Sequence, residues 1–213
     1  MYFLLFIFYS FIGWIIEIIN ELITEKRYVN RGFLIGPYCP IYGCGVILMI
    51  LFLNRYLNDP VVLFIMAVVI CSILEYFTSY VMEKIFKARW WDYTERKFNI
   101  NGRICLETMV PFGIGGLIIM YFVNPVVVGI LNLIPLFWIK IISFVLFVVF
   151  LVDNLISFKI IFKFRNITKK EERDNTAEIT AKVKDILSEK SKLGKRLVKS
   201  FPDLRILIKK KNK

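Results

Sequence analysis

The sequence contains no histidine. Any mechanism the chain runs therefore lacks the side chain most often used as a general base and as a metal ligand. Its four cysteines, Cys39, Cys44, Cys71 and Cys105, never form a C-x-x-C pair, so neither a zinc site nor a redox motif is spelled. They read as small, reduced, apolar residues. No G-x-x-x-x-G-K-[ST] run occurs, and ATP hydrolysis by that route is not expected. A nucleophile set and a cofactor motif are missing too, so the expectation is a non-enzyme with no cofactor and no metal. The first 25 residues hold no Lys or Arg and no A-x-A-like cleavage site. The first apolar stretch should then be retained as a helix rather than removed as a signal peptide.

What the chain does have is apolar length. It is 57% hydrophobic with a mean hydropathy of +0.62, far above a soluble domain. Several runs approach the roughly 20 residues that cross a bilayer core. The expected fold class is an all-α, polytopic membrane protein with about five spans, near Tyr2–Ile19, Tyr38–Leu53, Val61–Met82, Ile104–Val123 and Ile134–Phe158. Between the last two, "NPVVVGILNL" is bounded by Pro125 and Pro135 and is too short to cross. It reads as a separate interfacial or re-entrant piece. Residues 1–163 form the membrane domain and 164–213 a basic tail.

The net charge of +12 is uneven: from Lys163 onward there are seventeen Lys and Arg against seven Asp and Glu. With the rest of the chain in lipid, nucleic acid is a poor partner for that charge, and the anionic inner leaflet is a near one. The loops alternate as well. Lys26, Arg27 and Arg31 mark the first connection, Arg55 and Asp59 nearly balance the second, and the third carries six basic residues. The fourth has none before Lys140. The positive-inside rule then puts the N-terminus outside and the C-terminus inside. In the tail, Ile179, Val183, Ile186, Leu193 and Leu197 recur at helical spacing among lysines. Such a basic amphipathic helix could lie on the leaflet, dock on a partner or stay solvated.

"NRGFLIGPYCPIYGCG", Asn30 to Gly45, aligns without gaps to "NGRICLETMVPFGIGG", Asn101 to Gly116. Upstream, "WIIEI" around Glu17 echoes "SILEY" around Glu75. This suggests tandem helix pairs running in the same direction, residues 1–58 and 59–124, followed by a last helix over 134–158. Each copy would bring the chain back into the membrane through a Gly/Pro-interrupted turn. Broken backbone survives at that depth only under cover of protein or a water-filled cavity.

Glu17, Glu75, Glu107 and Asp153 fall in the expected spans. A carboxylate left in hydrocarbon costs about 2.5–3.5 kcal/mol on insertion scales, so these groups should face each other, a base or water. Arg31 and Arg103, near equivalent places in the two copies, are the natural partners, and Asn30 and Asn101 stand beside them. The set is a candidate substrate or ion pathway; the alternative is a group of buried ion pairs that fix helix packing. "RWWDY", Arg89, Trp90, Trp91, Asp92 and Tyr93, reads as an aromatic interface anchor, a docking surface or a lipid-headgroup site.

The order "FYSFIGWIIE", "NRGFLIGPYCPIYG", "LEYFTSYVMEKIF", "WWDY" and "FNINGRICL" resembles the bacterial family of type IV, CmpB-like ABC transporters, over about Phe6 to Asp153. The resemblance implies a multi-pass permease subunit of the bacterial cell membrane. Such a subunit would need a separate ATP-binding subunit, received by the third connection and the tail. Five spans are few for a permease, which favours a homodimer or a partner membrane subunit. Two other readings compete: a non-transporting adaptor or scaffold that docks through "RWWDY" and the tail, and an intramembrane enzyme acting on lipid, for which no nucleophile set speaks.

Overall fold

A computed structural model describes residues 1–26, 28–30, 32–86, 88–170, 192–200 and 205–206. Arg31 lies outside them, as do Ile179, Val183 and Ile186 of the tail stripe.

The helices are α1 (Tyr2–Glu25), α2 (Pro40–Leu53), α3 (Pro60–Phe86), α4 (Leu106–Ile118), α5 (Asn124–Asn132), α6 (Leu136–Lys170) and α7 (Lys192–Ser200). A single 3₁₀ turn, Asn54–Tyr56, follows α2. Their starts follow local chemistry. Asp59 accepts from the backbone N–H of Val61 and Val62 at 3.1 and 3.0 Å, and Pro60 supplies a preset φ for the first position of α3. Pro40 opens α2 in the same way. At α4, Cys105 and Thr108 cap one another across the first turn.

Four helical stretches are long and apolar enough to cross a membrane: Tyr2–Thr24, Pro60–Phe86, Leu106–Asn132 and Leu136–Lys159. α2 with its 3₁₀ turn, Pro40–Tyr56, is apolar but shorter. The third stretch corrects an expectation. "NPVVVGILNL" is not a separate piece; it continues α4 through one π turn, Ile119–Val123, into α5. Pro125 has no N–H to offer Tyr121 and would break a regular ladder. The wider turn just before it loosens the ladder where the bond is lost, so the helix continues. α6 runs to Lys170, past the expected end at Phe158 and into the basic tail.

α1 packs against α2, and α3 against α4, with α2 and α3 adjacent; α6 touches α1 and α3. Each pair closes on a glycine, the two lying one residue out of register in the alignment of the two copies. Gly43 lies against the Phe6 backbone and Ser10, where a Cβ would collide, and Gly113 lies against the Phe64 ring. Phe6 and Phe64 each precede an acid, Glu17 and Glu75, by the same eleven residues. The buried centre joins the pairs through Leu5, Tyr9, Val46, Met49, Leu53, Leu63, Ala67 and Met120. Large side chains such as Phe122, Leu133, Phe137 and Phe144 stay exposed, as a hydrocarbon-facing surface requires.

Two small ladders add to the helical expectation. β2 (Asn99–Ile100) and β3 (Ile104–Cys105) form an antiparallel hairpin. Asn101 and Gly102 turn it at φ 53° and 65°, and Arg103 N–H closes the turn onto Ile100 at 3.0 Å. Asn-Gly is the pair that such a turn favours. β1 (Ala88–Arg89) pairs antiparallel with β4 (Arg205–Ile206) from the tail.

A paired acid site at the helix-pair junction

Glu17 and Glu75 project from α1 and α3, one from each helix pair. Glu75 is buried and Glu17 half-buried. Tyr42 Oη donates to Glu17 at 2.6 Å, and Tyr93 Oη donates to Glu75 at 3.3 Å. Thr108 Oγ1 stands 3.4 Å from the second Glu75 oxygen and 2.9 Å from the Cys105 carbonyl. One hydroxyl proton serves only one of these acceptors at a time, and the carbonyl is nearer. The two carboxylates feel each other's charge, and Tyr93 feels both. Burial, then the charges of Glu75 and Glu17, hold the Tyr93 hydroxyl above the usual tyrosine range, so it stays a donor. Among the described residues, no Lys or Arg forms an ion pair with Glu17 or Glu75; their partners are hydroxyls.

Arg103 is engaged elsewhere. Its guanidinium pairs with Glu83 at 2.9 Å, donates to Ser79 Oγ at 3.1 Å, and stacks between the rings of Tyr76 and Tyr80. Glu83 also takes Arg89 at 3.1 Å, and Arg89 reaches Asp92 at 3.3 Å. Glu83 was not among the sequence candidates. Its signal was position: it lies two helical turns beyond Glu75 on the same side of α3. The spacing that relates Glu17 to Glu75 also relates Glu25 to Glu83.

Asp153 forms a third, separate centre. It accepts from the N–H groups of Ile35 and Gly36 at 2.9 and 2.6 Å, from Tyr38 Oη and from Ser157 Oγ. The Gly/Pro stretch before α2 is thus curled so that consecutive N–H groups converge on one carboxylate. Asn30 holds the same stretch, accepting from Trp14 Nε1 at 2.7 Å and from Gly32 N–H at 3.1 Å. Asn101 does something different, donating to Tyr76 Oη from the hairpin turn. Glu107 is exposed and pairs with exposed Arg96, away from the other acids.

"RWWDY" is turned inward. Trp90 is 5% exposed and stacks with Phe33 and Phe86. Trp91 Nε1 donates to the Arg103 carbonyl at 3.1 Å, and Tyr93 completes the Glu75 contact.

Residues 4–158 match the family described as "Putative ABC-transporter type IV". Neither a curated protein nor a solved structure shows significant similarity to the chain.

Proposed function

The chain belongs to the type IV ABC-transporter family, and from that membership we propose that it is the membrane subunit of a transport system, with a separate subunit supplying ATP hydrolysis. The observation that carries the reading is the Glu17–Glu75 pair. Two acids from two helix pairs, solvated by hydroxyls and, among the described residues, unopposed by a cation, form a centre that a proton or a cationic group on a substrate would neutralise. Glu17, Glu75, Tyr42, Tyr93 and Thr108 are its residues in this reading. Arg103, Asp153, Asn30, Asn101 and Glu107 then shape the turns around it.

The asymmetry of Lys and Arg between loops supports an outside N-terminus in a bacterial cell membrane, and five crossings with α2 as the short one. The matched acids and the aligned stretches around Asn30 and Asn101 support descent from a duplicated helix pair. Exposed Lys195 and Lys199 would face anionic lipid on the inner side, and a homodimer would supply the further spans. A non-transporting adaptor docking through "RWWDY" is the second reading; the inward packing of Trp90 weighs against it.

The test is retention of tagged protein from its native membrane in mild detergent, followed by ATP turnover of what is retained. A stoichiometric subunit with Walker motifs is expected, and its turnover should fall in the Glu17→Gln/Glu75→Gln variant at unchanged yield and melting. Retention of no ATPase sinks the ATP-driven reading.

A further inference from the structure

The C-terminal segment touches the first of the turns that return the chain to the membrane and the start of the third connection, just after α3. α7 lies on the first. Arg196 donates to the Leu34 carbonyl at 2.7 Å and to the Phe33 carbonyl at 3.3 Å, and Ser200 Oγ donates to the Asn30 carbonyl. The same turn gives its Ile35 and Gly36 N–H groups to Asp153 of α6. Its donors are held from one side and its acceptors from the other.

β4 lies on the third connection, with Arg205 opposite Arg89 and Ile206 opposite Ala88. Four residues of chain separate Ser200 from Arg205, so one short piece is fastened to both helix pairs. The docking is selective along α7. Arg196 is half-buried and Ser200 fully buried, while Lys195 and Lys199 remain exposed. Burial draws the Arg196 pKa down, and the charge of Asp153 opposes that.

Both attachment points lead to the acid pair. Asn30, held by Ser200, accepts from Trp14, which lies one turn before Glu17 on α1. Arg89, paired with β4, lies four residues before Tyr93, which donates to Glu75.

We propose that the C-terminal segment is a strap: it ties the two helix pairs together at this end and holds the Glu17–Glu75 centre closed, and its release lets the pairs part and admits water. Two native thiols report on this. Cys39 and Cys105 stand at the N-caps of α2 and α4, one in each pair, and both are buried.

The experiment follows the rate at which a water-soluble maleimide labels Cys39 and Cys105 in the full chain in lipid nanodiscs, read by peptide mass spectrometry. In Arg196→Ala/Ser200→Ala both thiols should label about tenfold faster, equivalent to about 1.4 kcal/mol of lost closure. With the nanodiscs made of zwitterionic lipid, so that no anionic surface holds these lysines, Lys195→Ala/Lys199→Ala, on the outer side of the same helix, should label at the wild-type rate. Wild-type labelling in the first variant overturns the proposal, and so does equal acceleration in the second. A complementary variant does not depend on loosened protein: Ala88→Cys/Ile206→Cys should crosslink under mild oxidation and slow both native thiols below wild type. Absence of the crosslink, or a crosslink that leaves the rates unchanged, also overturns it. Neither readout requires transport or an ATPase partner, so the strap can fail while the transport reading stands, and the reverse.

Discussion

Tyr42 donates to Glu17 at 2.6 Å across the α1–α2 contact, and its ring occupies the space that Gly13 leaves open. The acid is therefore positioned by packing as well as by a hydrogen bond. Tyr42→Phe keeps the ring and removes the donor. It should lower stability by about 1–3 kcal/mol. Thermal unfolding in detergent measures the loss, and no loss would mean that the bond does not hold the acid. Gly13→Ala should cost about 1–3 kcal/mol by a different route, displacing the ring.

Asp153 should rank as a structural centre. Asp153→Ala leaves the Ile35 and Gly36 N–H groups without their acceptor, at about 3–5 kcal/mol. Asp153→Asn keeps one acceptor oxygen and the same volume, so its loss should be clearly smaller. Equal melting of the two variants would contradict this account.

Glu83 is shared by two arginines of unequal weight. Arg103 is 8% exposed and has Ser79 and two tyrosine rings besides; Arg89 is 18% exposed. Double-mutant cycles against Glu83→Gln should give a coupling of about 1–3 kcal/mol for Arg103 and under about 1 kcal/mol for Arg89. Arg103→Lys should recover little, since an ammonium cannot present the planar fork that reaches both Ser79 and Glu83. The reverse order of couplings would overturn the assignment.

Tyr93 carries a pH signature. Its hydroxyl is held up by burial and by Glu75 and Glu17, so the folded protein keeps that proton when the unfolded chain has begun to lose it, near pH 10. Above that pH the unfolded state binds fewer protons, and stability must fall as pH rises. Below it, Tyr93 contributes its full share. Unfolding free energy measured between pH 8 and 11 should show the decline, and Tyr93→Phe should flatten it. An unchanged slope in the variant would remove Tyr93 as its source.

Much of this was legible in the sequence, and the reason is one-dimensional. Apolar length gives the helices, and the echo of "WIIEI" in "SILEY" relates Glu17 to Glu75. Partnerships were less legible because they depend on where turns point. The Asn101-Gly102 turn places Arg103 on the Ser79–Glu83 side of α3 and so takes it from the acid pair. Asp153 shares composition and depth with Glu17, yet α6 meets the turn before α2, where free N–H groups claim it. The inward packing of Trp90 could not be read from "RWWDY", since aromatic residues serve an interface and a core equally well. Pro125 marked a boundary correctly in the ladder and wrongly in the chain, because a single wide turn absorbs it.

The length of α2 has a consequence for the lipid. Its 14 residues rise about 21 Å, against a hydrocarbon core of about 30 Å. α3, at 27 residues, rises about 40 Å. In the five-span reading proposed above, a bilayer that suits α3 by tilting it is too thick for α2. Around α2 the leaflet would then thin or let headgroups sink. The protein would then sit most comfortably in thin membranes, with the dimple centred on one face.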